Sequence, residues 1–177
     1  NLLARLPTPK RAAVAFGEST RTRPAEIADP GTLTPLRNNQ VLPLHVVDDN
    51  GQWFDLEAHR GEVILVNFWA SWCSPCVKEI ASLMRLVERF EDQPFRVVAV
   101  NVGESKTHVA AFFEQLQISP DFDVLFDLSG EAARAWKVYA VPSTYLLDRE
   151  QRVRYGHRGA LRWDKSSVVE IVRDLLQ

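Results

Sequence analysis

Cys73 and Cys76 are the only two cysteines of the chain, and they stand three apart in "NFWASWCSPC", directly behind an apolar run. The pair could serve as a dithiol–disulfide couple, a metal clamp or a structural staple. A staple across so small a loop adds little, because cross-link stabilisation grows with loop length. A tetrahedral zinc site needs four ligands, usually in two pairs. The four histidines, His45, His59, His108 and His157, are scattered and none has a partner at metal spacing. No metal ligand set is therefore expected.

Redox chemistry fits the position best. Cys73 falls where the strand "VILVNFW" gives way to the helix "PCVKEIASLMRLVERF". The first turn of a helix leaves backbone N–H groups unpaired and carries partial positive charge. A thiolate there is stabilised, so its pKa falls and its reactivity near neutral pH rises. Pro75 suits the first helical turn, where its missing N–H costs little. Cys76 follows one turn later, close enough for a short disulfide. On this geometry Cys73 is an exposed nucleophile and Cys76 the buried resolving thiol. Cys73 attacks a foreign disulfide, and Cys76 releases the mixed disulfide that results.

The elements that hold the pair can be followed along the chain. "LPLHVV" and "QWFDL" flank "DDNG" as a hairpin. "EVILVNFW" is a continuous apolar run, as in a central strand buried on both faces. Ile80, Leu83, Met84, Val87 and Phe90 recur at three- and four-residue steps, giving a helix that starts around 74–76. "FRVVAVNV" is a second buried strand, and Val109, Phe112, Phe113 and Leu116 mark a second amphipathic helix. A short strand "DVLF", a short helix "SGEAARAWKV" and two antiparallel strands, "STYLLD" and "RVRYGH", follow. The last helix carries Val168, Val169, Ile171, Val172, Leu175 and Leu176, with Asp164 as candidate N-cap. The order is hairpin, β, α, β, α, β, α, β, β, α: an α/β fold whose mixed sheet has helices on both faces.

Composition changes near residue 42. Residues 1–41 carry Pro7, Pro9, Pro24, Pro30 and Pro35 without sustained periodicity and read as an arm or tether; residues 42–177 form the domain. The start of the arm is basic (Arg5, Lys10, Arg11) with Leu2, Leu3 and Leu6. It suits a short surface helix, the stub behind a membrane anchor, or an arm lying on the domain. The chain begins with Asn1 rather than Met, so a processed or truncated product is expected.

The totals are those of a soluble globular protein: 177 residues, 46% hydrophobic and 25% charged. A formal net charge of −2 gives no pull toward nucleic acid. No apolar run reaches the length of a membrane span.

"DLEAHRGEVILVNFWASWCSPCVKEI" resembles the thioredoxin fold family, in which W-C-x-P-C has this placement. It is most similar to the extracytoplasmic, membrane-tethered TlpA/ResA/DsbE-like branch of thiol–disulfide oxidoreductases. The resemblance covers roughly residues 42–177, including "WKVYAVPSTYLLD". It implies a thioredoxin-like sheet and a cis Pro142 facing the cysteines. It also implies a backbone at Val141 free to pair with a substrate strand. Trp72, Ser74, Pro75, Val141 and Pro142 then form the substrate-binding surface, with Trp72 packed beside Cys73 to limit solvent access and Trp69 plain core. Cys73 and Cys76 are catalytic and need no cofactor. The implied partners are a cysteine-containing client protein and an upstream dithiol donor. The implied location is periplasmic or otherwise extracytoplasmic, with an anchor upstream of Asn1. The direction implied is reduction of protein disulfides, with cytochrome c maturation as one setting.

Three positions depart from the family pattern. Cytosolic thioredoxins have a buried acid six residues before the first cysteine, where this chain has Asn67, which takes no proton. Glu79, one turn past Cys76, is an alternative acid: helical side chains lean toward the N-terminus, so its carboxylate can point at the pair. It would tune the cysteines or relay the proton of Cys76; an exposed surface glutamate is the other reading. Ala140 and Gln151 stand where the branch often has glycine.

Two rival functions remain. One is a copper metallochaperone or non-catalytic binding module, since soft thiolates favour Cu(I). The other is a peroxidase, although Ala70 stands three residues before Cys73, where a peroxiredoxin-like site would want Thr or Ser.

Overall fold

The computed structural model describes residues 31–37 and 40–177. The basic start of the arm, with Arg5, Lys10 and Arg11, lies outside the described residues. Strand β1 (Thr34–Pro35) comes first, then β2 (Val63–Trp69), α1 (Ser74–Arg89), β3 (Phe95–Val102), α2 (Lys106–Leu116) and β4 (Asp123–Asp127). They are followed by α3 (Glu131–Ala135), β5 (Ser143–Leu147), β6 (Val153–Arg158) and α4 (Ser166–Leu176). The six strands form one sheet in the order β1-β6-β5-β2-β3-β4. β2, β3 and β4 run parallel, while β5, β6 and β1 are antiparallel to their neighbours.

Strand β2 is the centre of this sheet because every residue of "VILVNFW" is buried. Its side chains alternate between two layers. Ile64, Val66 and Phe68 pack with Val98, Val100, Trp136 and the α3 alanines on one face. Val63 and Leu65 meet α1 and α4 on the other, through Leu83, Leu86, Val168 and Val172. Burying each such aliphatic side chain is worth roughly 1.5–3 kcal/mol. The far end of this second face, with Trp69, Ala99 and the α2 residues Val109 and Phe113, encloses both cysteines. Trp69 is core, its ring 5.4 Å from that of Phe113.

The expected hairpin forms but is short, with the Phe54 N–H bonded to the Val46 carbonyl at 2.9 Å. The Asp48 carboxylate accepts from the N–H groups of Asn50 and Gln52, but the flanks meet in a single bridge, Val47 to Trp53. The second flank is diverted into a 3-10 helix, Leu56–His59, capped by the Asp55 side chain. Val47 also bridges Phe126 and so covers part of the β4 edge. At the opposite edge, Thr34 and Pro35 pair with Gly156 and Tyr155, and Leu33 is buried in the core. Proline is tolerated there because an edge strand can spare an N–H.

Asp164 does not cap α4. The cap position is Lys165, with no side-chain cap bond, because the Asp164 carboxylate lies 2.7 Å from Nε of Arg85. Gln151 adopts φ 64° in the β5–β6 turn, the left-handed conformation that explains why glycine suits this position. Its side-chain amide donates to the carbonyl of Leu56.

Candidate active site

The site is built where β2 ends. The chain turns after Trp69, with the N–H of Cys73 bonded to the carbonyl of Ala70 at 3.2 Å. Cys73 then takes the N-cap position of α1, in extended conformation (φ −88°, ψ 100°), with Pro75 in the first turn. Its Sγ accepts from the backbone N–H of Cys76 at 3.3 Å. A sulfur takes the place that a capping Ser or Asp oxygen usually occupies. Cys73 and Cys76 are joined by a disulfide, with Cα atoms 5.3 Å apart.

Exposure at the site differs from expectation. Cys73 is 4% exposed and Cys76 1%, so the order holds but Cys73 is not an open nucleophile. The cap conformation folds its side chain over the helix start, and the Val141 carbonyl oxygen stands 3.6 Å from its Sγ. Trp72 is 74% exposed and so is not a core aromatic. Ser74 and Pro75 are also exposed, so the rim of the site is more open than its sulfurs.

The Val141–Pro142 peptide is cis, as the resemblance implies. Pro142 is buried and its carbonyl accepts from the N–H of Gly159 at 2.8 Å. Among the described residues, no other backbone group bonds the N–H or the carbonyl of Val141. That stretch of main chain, beside Cys73, is open to pairing.

Glu79 is buried, not a surface glutamate. One carboxylate oxygen accepts from the Asn67 side chain at 2.7 Å. The other accepts from the Leu161 N–H at 3.1 Å and the Trp163 indole N–H at 3.0 Å. Burial pushes the Glu79 carboxyl up to about 7, against the pull of these three donors. Asn67 also donates to Thr144 Oγ1 at 2.9 Å, tying β2 to β5 beneath the helix. A buried acid therefore stands on α1, and the side chain of Asn67 on β2 donates to it.

A second carboxylate, Glu104, was not singled out by its sequence context. It follows Gly103 in the turn after β3 and meets Ser71, two residues before Cys73. The only sequence signal is the "GES" turn at the strand end. Among the described residues, no three His, Cys, Asp or Glu side chains cluster as a metal site.

A disulfide capping a helix beside a cis-proline loop can be compared with known proteins. The model of the AhpC/TSA family matches residues 38–156. The chain belongs to the AhpC/TSA family. The chain is 35% identical over 106 residues to the thiol-disulfide oxidoreductase ResA of Bacillus subtilis, covering 60% of this chain and 58% of the relative. It is 32% identical over 122 residues to ResA of Geobacillus thermodenitrificans, covering 68% and 69%. The match therefore spans about three fifths to two thirds of these relatives' length. Among solved structures, a Chlorobium tepidum protein assigned as the thiol:disulfide interchange protein DsbE superposes with a TM-score of 0.71 at 26% identity, covering 82% of this chain and all of that one. StoA of Bacillus subtilis shares the fold, with a TM-score of 0.59 at 18% identity, covering 78% of this chain and 100% of its own. This AhpC/TSA-family chain therefore has the thioredoxin-like architecture expected of it, and its cysteine pair is joined as a dithiol–disulfide couple requires.

Proposed function

We propose that the chain is a thiol–disulfide oxidoreductase that reduces protein disulfides through Cys73 and Cys76. The observation that carries this reading is the N-cap disulfide. Cys73 Sγ accepts from the first turn of α1 in the oxidised form, and the same N–H is in place to stabilise the thiolate of the reduced form.

In the reduced enzyme the Cys73 thiolate attacks one sulfur of a client disulfide. The client S–S bond breaks, a mixed disulfide forms and one client thiolate leaves. Cys76 gives up its proton and attacks Cys73 Sγ, which releases the second client thiolate and closes the Cys73–Cys76 disulfide. Two electrons pass to the client, and a dithiol donor returns them to the enzyme. Cys76 and Glu79 lie three residues apart on α1, both buried. A carboxyl poised near neutrality is suited to take the Cys76 proton. Trp72, Ser74 and Pro75 form the rim against which the client rests, and the Val141 main chain beside Pro142 pairs with its extended segment.

The work is extracytoplasmic, where client cysteines are oxidised and need selective reduction. Similarity to ResA and DsbE supports that setting, with cytochrome c maturation as its context. Among the described residues no helix is long and apolar enough to cross a membrane.

The test is insulin reduction driven by dithiothreitol, run beside hydrogen peroxide consumption and Cu(I) titration of the reduced protein. Turnover of insulin, abolished in Cys73→Ser, supports the proposal. Peroxide turnover without insulin reduction, or tight stoichiometric Cu(I) binding without turnover, would replace it with a rival reading.

A further inference from the structure

We infer that Glu104 is a positioning residue: from the turn after β3 it grips the loop that delivers Cys73 to the start of α1, and so fixes the sulfur at the helix cap. The inference rests on the thiol–disulfide reading above and adds a residue to it.

Three chain segments converge on this one carboxylate. Oε2 accepts from the Ser71 backbone N–H at 2.8 Å and from the Asn101 side-chain amide at 2.7 Å. Oε1 accepts from the Ser71 hydroxyl at 2.6 Å and lies 3.4 Å from Nε2 of His108 on α2. That imidazole nitrogen is itself 3.1 Å from Ser71 Oγ. Ser71 is therefore held at main chain and side chain together, which fixes the orientation of the peptide as well as its place. Charge-assisted bonds of this kind are about twice as strong as neutral ones.

Ala70 and Cys73 are buried, but Ser71 and Trp72 between them are not. Among the described residues, the backbone bonds of this loop are the Cys73 N–H to the Ala70 carbonyl and the Val77 N–H to the Cys73 carbonyl, and neither holds Ser71 or Trp72. Trp72 projects to solvent instead of packing. Gly103, at φ 79°, turns the chain after β3, and its N–H is bonded to the Asp127 carbonyl at 3.0 Å. A residue with a Cβ is strained at that φ. Partial burial works to raise the Glu104 carboxyl, but the donors from Asn101 and Ser71, with His108 nearby, outweigh it and hold it below the ordinary range. The clamp thus stays ionised where the enzyme works. Glu79, the fully buried acid at the site, has separate partners on β2 and before α4, so altering Glu104 leaves that network in place.

A plain brace and a positioner differ in what they do to folded protein. A brace changes only stability. A positioner also changes the thiolate, because the benefit of the helix start falls off within its first turn. The experiment is titration of the Cys73 thiolate absorbance at 240 nm in reduced protein carrying Cys76→Ser. It compares that background alone with the same background plus Glu104→Ala, Glu104→Gln or Ser71→Ala. The Ala variant should raise the Cys73 pKa by about 0.5–1 pH unit. The Gln variant still accepts from the Ser71 N–H and should stay near the parent value. Ser71→Ala, which loses only the hydroxyl contact, should fall between and decides the matter if Glu104→Ala does not fold. An unchanged pKa with a lowered melting temperature would overturn the inference, as would a lowered pKa in both Glu104 variants, which would mark the carboxylate as a repelling charge. Insulin reduction by the wild-type protein separates failure of this inference from failure of the thiol–disulfide reading.

Discussion

Asn67 on β2 donates a 2.7 Å hydrogen bond to the carboxylate of Glu79 on α1, linking the centre of the sheet to the helix that carries both cysteines. The amide and the acid are twelve residues apart in sequence and form one buried unit. An amide cannot titrate, so the proton chemistry of this unit belongs to Glu79.

Stability should therefore depend on pH through that glutamate. A carboxyl whose folded pKa, about 7, lies above its ordinary value of 4.5 binds its proton more tightly in the folded state. Its contribution favours the fold below pH 4.5 and fades as pH rises through about 7. The shift corresponds to roughly 3 kcal/mol. Urea unfolding of the oxidised protein at pH 5 and pH 8 should show this fall, and Glu79→Gln should flatten it.

Removing a donor from the carboxylate moves the same quantity further. The Asn67 bond favours the charged form of Glu79, so Asn67→Ala should raise the carboxyl above about 7. The pH at which insulin reduction reaches half its maximum should move upward in this variant if Glu79 takes the Cys76 proton. An unmoved profile would leave Glu79 as a structural acid.

Trp72 separates surface function from stability. At 74% exposure, replacing it by Ala should change unfolding free energy by no more than about 0.5 kcal/mol. If the ring is part of the client-binding rim, KM for a protein disulfide should rise several-fold while reduction of a small disulfide such as cystine is little changed. Equal effects on both substrates would place the ring in the chemistry of the pair instead.

Backbone conformation offers a control remote from the cysteines. Gln117 ends α2 at φ 54°, with the N–H of Ile118 bonded to the Phe113 carbonyl at 3.0 Å. This is the left-handed helix end that favours glycine. Gln117→Gly should stabilise the fold by about 1 kcal/mol in thermal or urea unfolding and leave insulin reduction unchanged.

Much of this architecture was legible because it is written in local pattern. The apolar run 63–69 suits a strand buried on both faces, and the Cys–Ser–Pro–Cys order places a sulfur at a helix start. What stayed hidden depends on residues brought together from afar. Glu79 is surrounded by Asn67, Leu161 and Trp163, and no helical period announces that a glutamate on α1 will be roofed by the segment leading into α4. Cys73 is buried in a cluster that brings in Ala99, Val109, Phe113 and Phe126, with Val141, sixty-eight positions along the chain, packed against it. The hairpin is shorter than alternation suggests for a local reason: its pairing stops at Phe54, and Asp55 caps the 3-10 helix that follows. Asp164 looked like a cap, but Arg85, on another helix, claims its carboxylate.

In the proposed reaction Cys73 is the sulfur that attacks and Cys76 the one that resolves. Mass spectrometry of reduced Cys76→Ser protein mixed with an oxidised client peptide tests it most directly. A covalent adduct through Cys73 should accumulate, absent from Cys73→Ser, while the wild-type protein turns over without accumulating it. An adduct that forms through Cys76 in the Cys73→Ser protein as fast as through Cys73, or full reduction by Cys73→Ser, would contradict it.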